Sequence, residues 1–308
     1  MDIALYRYTL PFSQPLSFHE QTLIQREGLL LRWDDNWGEI APLPGFSRET
    51  LLEAEQECLR YLNAYVKGLP FHPTLPSVQF GVECARRTWP KLKYLPLPPY
   101  LLLQGTPDEM YWNFKDWTYD YPSKVKIKVA RYPMDQELAL IRELHKMAPQ
   151  TKFVLDANQG WEKSEAWAFM SLLDGNYIDY IEDPCKTFKD IKSVAAHTAV
   201  NVALDEILSR QQEWDFFPQL KAIVLKPMLI GSLEHCKALL ERARAHNVKV
   251  IISSCHESQL GNRLLAQLAA EWSPEQPPGL DTVRFLADTV LDEKQQPDLK
   301  KLKQIWHS

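Results

Sequence analysis

Four apolar runs in the second half of the chain each end in a charged residue. The runs are "FVLD", "YIE", "VALD" and "VLK", and they end at Asp156, Glu182, Asp205 and Lys226. The intervals between these ends are 26, 23 and 21 residues, and each has room for one strand and one crossover helix. A single charge at a strand end can face solvent or cap the next helix. Three carboxylates in successive units are harder to explain in that way.

The three carboxylates have the chemistry of a magnesium site. If their strands are parallel neighbours, Asp156, Glu182 and Asp205 meet at the carboxyl ends of the strands, where barrel enzymes place their active sites. Like charges crowded there repel one another unless a cation joins them. A few hard oxygen ligands, with room for water and substrate, suit Mg²⁺. The eight histidines show no H-x-x-x-H or H-x-H pairing, so no histidine cluster suggests zinc.

Lysines precede and follow this carboxylate set along the chain. The stretch "KVKIKVA", residues 124–130, alternates lysine with β-branched residues. This alternation predicts a strand with Lys124, Lys126 and Lys128 on one face. That strand comes just before the Asp156 strand, and Lys226 ends the strand that follows Asp205.

Lys128 is the lysine nearest the predicted active-site end of its strand, and it can act as a base. The ammonium group of Lys126 and a nearby metal both disfavour protonated Lys128, so we expect a lowered pKa. The alternative is that inward lysines only neutralise the carboxylates as buried ion pairs. Lys124 lies further from the active-site end, and we expect it to be structural.

Composition narrows the class of protein. The chain has 308 residues, 45% hydrophobic content, a net charge of −5 and a pI of about 5.9. These values favour a large folded core and make nucleic acid and anionic membranes improbable partners. Neither a signal peptide nor a membrane span is evident in the sequence. The five cysteines are scattered without a C-x-x-C pair, which is typical of reduced thiols in a cytoplasmic protein.

The chain changes character near residue 95. Residues 1–95 mix strand-like pieces with one helical stretch, which Ser47 or Thr50 can cap, and Glu53 can complete a capping box with Thr50. We predict a small α+β domain there, ending in the proline-rich "KYLPLPPY". Residues 96–285 alternate short apolar runs with helical segments, which predicts parallel strands joined by right-handed crossovers. About eight such units favour a TIM-type barrel, with a doubly wound sheet as the alternative.

The eight predicted strands and several longer motifs resemble a known superfamily. The strands lie in "YLLLQG", "KVKIKVA", "FVLDAN", "YIDYIEDP", "NVALDE", "AIVLKP", "VKVIISS" and "GLDT". K-x-K at 126–128, "LDAN" at 155–158, "IEDP" at 181–184, "DE" at 205–206 and "KP" at 226–227 resemble the muconate-lactonizing subgroup of the enolase superfamily.

Within that subgroup, the chain resembles the o-succinylbenzoate synthase family over nearly its whole length. The motifs are "WGEIAPLPGFSRETL", "PSVQFGVECA", "IEDPCK", "KPMLIGSLE", "ISSCHESQLG" and "PPGLDT". The resemblance implies an α+β capping domain and a (β/α)₇β barrel, with a C-terminal tail, residues 286–308, that returns to the cap.

The resemblance also implies a reaction and its residues. Mg²⁺, or Mn²⁺ in its place, would be bound by Asp156, Glu182 and Asp205. Lys128 would remove the proton α to the substrate carboxylate, and the metal would stabilise the enediolate. The same lysine would return the proton to the departing hydroxyl, a syn elimination that forms an aromatic ring. Lys226 would act as a cation over the π face of the ring. The product would be o-succinylbenzoate, made for menaquinone biosynthesis.

The resemblance implies further site residues near the strand ends. Lys126 would orient carboxylates beside the base. The residues expected to contact the substrate are Asn158, Ser253, Ser254, Cys255 and Gly279. The family uses backbone donors at 253–255 for the succinyl carboxylate, whereas Gly279 is equally well explained as a turn glycine.

Two segments and one departure bear on the substrate. "LPFSQPLSF" at 10–18 and "LPGFS" at 43–47 resemble loops that close over the site. Some relatives have arginine two residues before the first metal-ligand aspartate, and this chain has Val154 there. The resemblance therefore does not indicate how the substrate carboxylates are neutralised.

Other functions fit the same residues. N-Acylamino acid racemases, dipeptide epimerases and muconate cycloisomerases share this lysine and carboxylate set, and a racemase would use Lys128 and Lys226 as bases on opposite faces. A non-catalytic barrel scaffold is the alternative outside enzymes, although every predicted metal ligand and Lys128 are present. We expect a monomer that acts on a small carboxylate.

Overall fold

The computed structural model describes residues 2–18, 21–90, 97–118, 120–210 and 212–308. The chain forms two compact units. The first comprises Met1–Leu97, Lys226–Glu241 and Ile252–Ser308, and the second comprises Pro98–Leu225 and Arg242–Ile251. The domain boundary predicted between residues 95 and 96 lies outside the described residues.

An antiparallel sheet forms the base of the first unit. Its strands are β1 (Ile3–Phe18), β2 (Gln21–Trp33), β3 (Asn36–Ile40) and β11 (Lys303–His307), in the order β11-β1-β2-β3. The turn from β2 to β3 uses Asp34 with a positive φ of 52°, a backbone conformation that aspartate tolerates better than most residues. β11 pairs with β1, with Ala4 opposite His307, so the C-terminal strand belongs to this sheet.

Two helices cover one face of this sheet. Helix α1 (Leu51–Val66) is capped by Thr50, whose side chain accepts from Glu53 N, while the Glu53 carboxylate accepts from Thr50 N. This is the predicted capping box, and Thr50 rather than Ser47 is the cap. Helix α2 is Pro76–Arg86. Apolar side chains from both helices and the sheet form one core; they include Leu5, Leu29, Leu31, Ile40, Ala54, Cys58, Leu62, Val78 and Val82.

Helix α2 and strand β3 approach each other at two glycines. A Cβ atom at Gly38 would lie 1.9 Å from the carbonyl oxygen of Gly81. A Cβ atom at Gly81 would lie 2.3 Å from a side-chain carbon of Ile40. Glycine is therefore required at both positions, because any side chain would push the helix away from the strand.

A parallel sheet of seven strands holds the predicted carboxylates. Its strands are β4 (Leu101–Leu103), β5 (Lys124–Lys128), β6 (Lys152–Asp156), β7 (Ile178–Glu182), β8 (Val202–Leu204), β9 (Leu220–Leu225) and β10 (Lys249–Ile252). The helices that follow α2 along the chain are α3 (Pro107–Lys115), α4 (Met134–Met147), α5 (Lys163–Ser171), α6 (Phe188–Ala195), α7 (Glu206–Ser209), α8 (Pro227–Ile230), α9 (Leu233–Ala245) and α10 (Gln259–Trp272).

The strands of this sheet lie in sequential order from β4 to β10. A doubly wound sheet would reverse its strand order at a switch point, so that alternative is excluded and the barrel-type β/α architecture is confirmed. Side chains on one face of the strands pack into a buried layer, which includes Val154, Tyr180, Ala203, Ala222 and Val224. Val154 is thus a core residue in this chain.

The eighth predicted strand is shorter than expected. In "GLDT", Gly279 forms an isolated parallel bridge with Ser253, and a 3₁₀ helix covers Asp281–Phe285. Gly279 N donates to the Ile252 carbonyl at 2.9 Å, and Ser254 N donates to the Gly279 carbonyl at 3.1 Å. The preceding Pro277 and Pro278 have no N–H to donate, which limits how far this ladder can extend.

Two further observations concern membrane-spanning helices and cysteines. Among the described residues, no helix combines the length and apolar character needed to cross a bilayer. All five cysteines are buried and free of disulfides, as the sequence predicts for reduced thiols.

The glycine contact between β3 and α2 can be tested by substitution. Gly38→Ala should destabilise the protein by about 2–3 kcal/mol, because the added methyl overlaps a backbone oxygen that cannot move independently. Gly68→Ala is the control, since no atom lies within 4 Å of its Cβ and only its positive φ costs about 1 kcal/mol. Urea unfolding followed by circular dichroism measures both. Equal losses in the two variants would contradict the close contact.

Candidate active site

Lys128, Asp156 and Glu182 form one row across three neighbouring parallel strands. Lys128 pairs with Asp156 in the β5–β6 ladder, and Asp156 pairs with Glu182 in the β6–β7 ladder. Each is the last residue of its strand. Asp205 follows the last residue of β8 and lies at the N-cap position of α7. The parallel pairing of these strands therefore brings the predicted residues together at the carboxyl end of the sheet.

The ammonium group of Lys126 lies between two buried carboxylates. Its Nζ is 2.8 Å from Asp156 Oδ2 and 2.5 Å from Glu182 Oε2. The side chains of Asp156 and Glu182 are 1% and 0% exposed. Lys126 therefore supplies the positive charge without which these carboxylates would repel each other in a poorly solvated place.

Lys128 contacts the same carboxylate group from the end of the strand. Its Nζ donates to Asp156 Oδ2 at 2.6 Å and to Asn158 Oδ1 at 2.7 Å. The predicted alternative, in which the inward lysines form buried ion pairs, thus describes the contacts of both lysines. It does not exclude a proton-transfer role for Lys128, whose side chain is 15% exposed.

The lysines and carboxylates shift one another's pKa values. Burial lowers the pKa of Lys128, Asp156 raises it and Lys126 lowers it, with a net decrease. The direction is the predicted one, although burial is the largest cause. Burial alone would raise the pKa of Asp156, but Lys126 and Lys128 outweigh it and hold that pKa well below its ordinary value. Burial also raises the pKa of Glu182 to about 7, against the opposing effect of Lys126.

The donor set at this edge fits a hard divalent cation. Glu182 Oε1 is buried and has no hydrogen-bond partner among the described residues, so one carboxylate oxygen has unused capacity. Asp205 lies close enough to Glu182 to raise its pKa. Across the described ranges, no three His, Cys, Asp or Glu side chains form a ready-made metal site, and Lys126 Nζ lies between Asp156 and Glu182. Asp156, Glu182 and Asp205 offer carboxylate oxygens, the type of ligand that Mg²⁺ prefers.

Asn158 connects this edge to residues that the sequence analysis missed. Its backbone has a positive φ of 46°, its N–H donates to Asp156 Oδ1 at 3.1 Å, and its Nδ2 donates to Glu206 Oε1 at 2.9 Å. Asp183 Oδ2 accepts from Ile207 N at 3.0 Å. The sequence signal for Glu206 and Asp183 was present, since each directly follows a predicted metal ligand.

Lys226 directly follows β9, and its ammonium contacts an aromatic ring. Nζ lies 5.9 Å from the centroid of the Phe46 ring, within the range of a cation–π interaction. Phe46 belongs to the "LPGFS" segment that resembles a closing loop. The other such segment, residues 10–18, lies within β1 rather than in a loop, with a register irregularity between Pro11 and Leu16.

The predicted substrate contacts after β10 cluster around Gly279. The Ser253 and Ser254 hydroxyls donate to the Gly279 carbonyl at 3.1 and 3.4 Å, and Ser254 N uses the same acceptor. Cys255 N donates to Glu257 Oε2 at 2.5 Å. The structure thus brings Ser253, Ser254 and Gly279 together, and it occupies two backbone donors with internal bonds.

A buried charged network that the sequence analysis missed holds the segment after Cys255. Arg26 is 2% exposed, and it donates to the carbonyls of His256 at 2.9 Å and Pro42 at 2.8 Å. Glu39 accepts from Tyr8 Oη at 2.6 Å and from Ser258 N at 2.9 Å. The only sequence signal was a charge within each apolar strand, which a half-exposed sheet explains equally well.

Comparison with known proteins identifies the superfamily to which the fold belongs. Residues 115–298 match the family described as "Enolase C-terminal domain-like". A solved L-Ala-D/L-Glu epimerase from Bacillus subtilis superposes with a TM-score of 0.78 at 20% identity, covering 99% of this chain and 98% of the epimerase. The fold is therefore that of the enolase superfamily.

Closer relatives identify the family. Residues 1–89 match "MenC, N-terminal domain". The o-succinylbenzoate synthase of Pasteurella multocida is 36% identical over 93% of this chain and 90% of its own length, and that of Pectobacterium atrosepticum is 34% identical over 99% of both. The chain belongs to the o-succinylbenzoate synthase family, a family of lyases. A synthase of that name from Thermosynechococcus elongatus, solved with Mg in its active site, has the same fold, with a TM-score of 0.72 at 23% identity over 94% of this chain and 95% of that one.

The position of Lys126 makes a stability prediction. Lys126→Met should destabilise the protein by about 3–5 kcal/mol, because it leaves two buried carboxylates without their shared partner. Lys152→Met is the control: Lys152 is the first residue of the neighbouring strand β6, but it is exposed and its Nζ bonds the Asn176 carbonyl. Urea unfolding in the presence of chelator gives both values. A loss no larger than that of the control would show that Lys126 does not stabilise the cluster.

Proposed function

We propose that the chain catalyses the Mg²⁺-dependent syn dehydration of 2-succinyl-6-hydroxy-2,4-cyclohexadiene-1-carboxylate to o-succinylbenzoate, a step of menaquinone biosynthesis. The observation that carries the proposal is the row of Lys128, Asp156 and Glu182, in which a lysine with a lowered pKa lies beside a magnesium-type donor set. Family membership supports the choice of substrate.

Lys128 is the proposed base. A primary amine accepts a proton only when it is neutral, and burial together with the charge of Lys126 makes the neutral form more accessible. Asp156 and Asn158 accept hydrogen bonds from Nζ and hold it at the end of β5. The amine is therefore positioned to take the proton α to the substrate carboxylate.

Asp156, Glu182 and Asp205 are the residues that would hold the cation. Bound there, Mg²⁺ would supply positive charge beside the substrate carboxylate, where negative charge develops as the proton leaves. Lys126 bonds two of these carboxylates and fixes their direction. We propose that Mn²⁺ can replace Mg²⁺, because it accepts the same oxygen ligands.

The same lysine completes the reaction. After the Cα–H bond breaks, Lys128 carries the proton, and it donates this proton to the hydroxyl that leaves from the same face. The C–O bond breaks, water departs and the new double bond makes the ring aromatic. One base thus performs both transfers, and the elimination is syn.

Lys226 has a different proposed role. It would supply a cation to the face of the ring as aromaticity develops. Its position supports this role, because Nζ lies 5.9 Å from the centroid of the Phe46 ring, within the range of a cation–π interaction. The alternative chemistry, racemisation or epimerisation, would require Lys226 to act as a second base.

The metal requirement predicts a clear result. Asp156→Asn, Glu182→Gln and Asp205→Asn should each abolish dehydration and keep a folded circular dichroism spectrum, since each change removes one charged oxygen ligand and keeps its shape. Disappearance of the cyclohexadiene absorbance measures activity, with Mg²⁺, Mn²⁺ or excess chelator present. Full turnover in chelator would contradict the proposal.

The two lysines should respond differently to substitution. Lys128→Ala should lose essentially all dehydration, because it removes the base for both transfers. Lys226→Arg keeps a cation that can lie on a ring and should retain measurable activity. Lys226→Ala should lose more, roughly 30-fold from a cation–π contribution of about 2 kcal/mol alone.

Racemisation of an N-acylamino acid serves as the comparison reaction. Arginine is a very poor base, so Lys226→Arg should abolish any racemase activity while sparing dehydration. If Lys226→Arg removed dehydration as completely as Lys128→Ala does, the assignment of a single base would be wrong.

A further inference from the structure

Charged residues that the proposed reaction does not use lie at the amino ends of the parallel strands. Lys124 and Lys249 begin β5 and β10, and Asp179 and Lys221 are the second residues of β7 and β9. Asp179 Oδ2 lies 2.8 Å from Lys124 Nζ and 3.8 Å from Lys249 Nζ. This group of four residues, called the amino-end cluster below, lies at the opposite end of the strands from Lys128, Asp156 and Glu182.

Two β-bulges supply members of the cluster. The β6–β7 register passes from Phe153 opposite Ile178 to Val154 opposite Tyr180, so Asp179 is an extra residue. The β8–β9 register shifts in the same way and leaves Lys221 as the extra residue. A bulge redirects a side chain that regular alternation would place elsewhere. Both bulges occur at the same end of the sheet, and each one occurs at a charged residue.

The charges of the cluster do not balance. Lys124 and Lys249 lie within 4 Å of Asp179, and Lys221 is near enough to act on its charge, so three lysines accompany one aspartate, although the chain as a whole has a net charge of −5. Burial alone would raise the pKa of Asp179. The opposing effect of Lys124, Lys249 and Lys221 is larger, so the net pKa is lowered. Burial lowers the pKa of Lys249, Asp179 opposes that decrease, and Lys124 and Lys221 add to it. One carboxylate therefore satisfies only part of the positive charge, and a second anion would relieve the remainder.

A cavity opens beside the cluster. It has a volume of about 480 Å³, and Lys221 is part of its wall. This size lies within the range of small-molecule sites. The cavity lies at the amino ends of β8, β9 and β10, and its walls combine polar Asn201 and Asn247 with apolar Phe217, Leu220 and Val248.

We propose that the amino-end cluster and this cavity form a second binding site, for a small organic dianion. The anionic groups of the ligand, carboxylate or phosphate, would pair with Lys221 and its neighbouring lysines, and its apolar body would occupy the cavity beside Phe217. A dianion matches the two positive charges that remain after Asp179 neutralises one lysine. This site is independent of the proposed dehydration and uses none of its residues.

Calorimetric titration with phthalate, an aromatic dianion, tests the site. Lys221→Met should weaken phthalate binding roughly tenfold, the value of one charge-assisted hydrogen bond. Asp179→Asn should strengthen binding roughly threefold, because it removes the competing carboxylate. Lys152→Met, the control at the start of β6, should change nothing, since that lysine is exposed and bonds the Asn176 carbonyl.

Lys249→Met is a second variant in case Lys221→Met is unstable, because Lys249 is about a third exposed. It should weaken binding in the same direction. The proposal is overturned if phthalate does not bind, if Lys221→Met and Lys249→Met bind it as Lys152→Met does, or if inorganic phosphate binds as tightly as phthalate. If phthalate bound only at the strand ends that hold Asp156 and Glu182, its affinity would be unchanged in these variants, and the proposal would be overturned. The readout is binding rather than turnover, so its failure and that of the dehydratase assignment are separate results.

Discussion

The buried ammonium of Lys126 is the interaction on which the candidate active site depends. Two carboxylates with almost no exposure lie at adjacent strand ends, and a third follows the next strand. Without a cation among them, their mutual repulsion and their loss of hydration would favour protonation or disorder. Lys126 bonds Asp156 and Glu182 at once, and so it allows a concentrated negative site to exist inside a folded sheet.

The order of the strands and the packing of the sheet support this arrangement. Sequential parallel strands place Lys128, Asp156 and Glu182 in one row, so a short side-chain reach suffices for every contact. One layer below, Val154 and Tyr180 fill the interior and exclude water from the ion pairs. Beyond the strand ends, Asn158 takes a positive φ, and its amide joins Asp156 to Glu206. The local backbone strain is thus placed where it aims functional groups.

Much of this was readable from sequence because it depends on short-range patterns. The alternation in "KVKIK", the charge that ends each apolar run and the Thr50–Glu53 capping box each specify a local structure, and the structure has all three. The burial of Arg26 and Glu39 was not readable, since each is held in part by a partner more than two hundred residues away, His256 for Arg26 and Ser258 for Glu39. Asp179 and Lys221 were missed for another reason: a period of two cannot indicate where a bulge will shift it.

The sequence also predicted the number of extended segments better than it predicted where each segment ends. "GLDT" has strand-like residues, but two prolines before it restrict the ladder to a single bridge at Gly279. Similarly, the direction of the Lys128 pKa shift follows from its neighbours, whereas the dominance of burial depends on packing that only the three-dimensional structure contains.

We propose that Asp156, Glu182 and Asp205 together hold one divalent cation. Calorimetric titration of Mg²⁺ into the wild-type chain and into Glu182→Gln tests this most directly, because Glu182 Oε1 is buried and has no hydrogen-bond partner within the described part of the chain. We expect one Mg²⁺ per wild-type chain and a loss of roughly tenfold or more in Mg²⁺ affinity in the variant, the effect of losing one charged ligand. Equal Mg²⁺ affinity in the two proteins would contradict it.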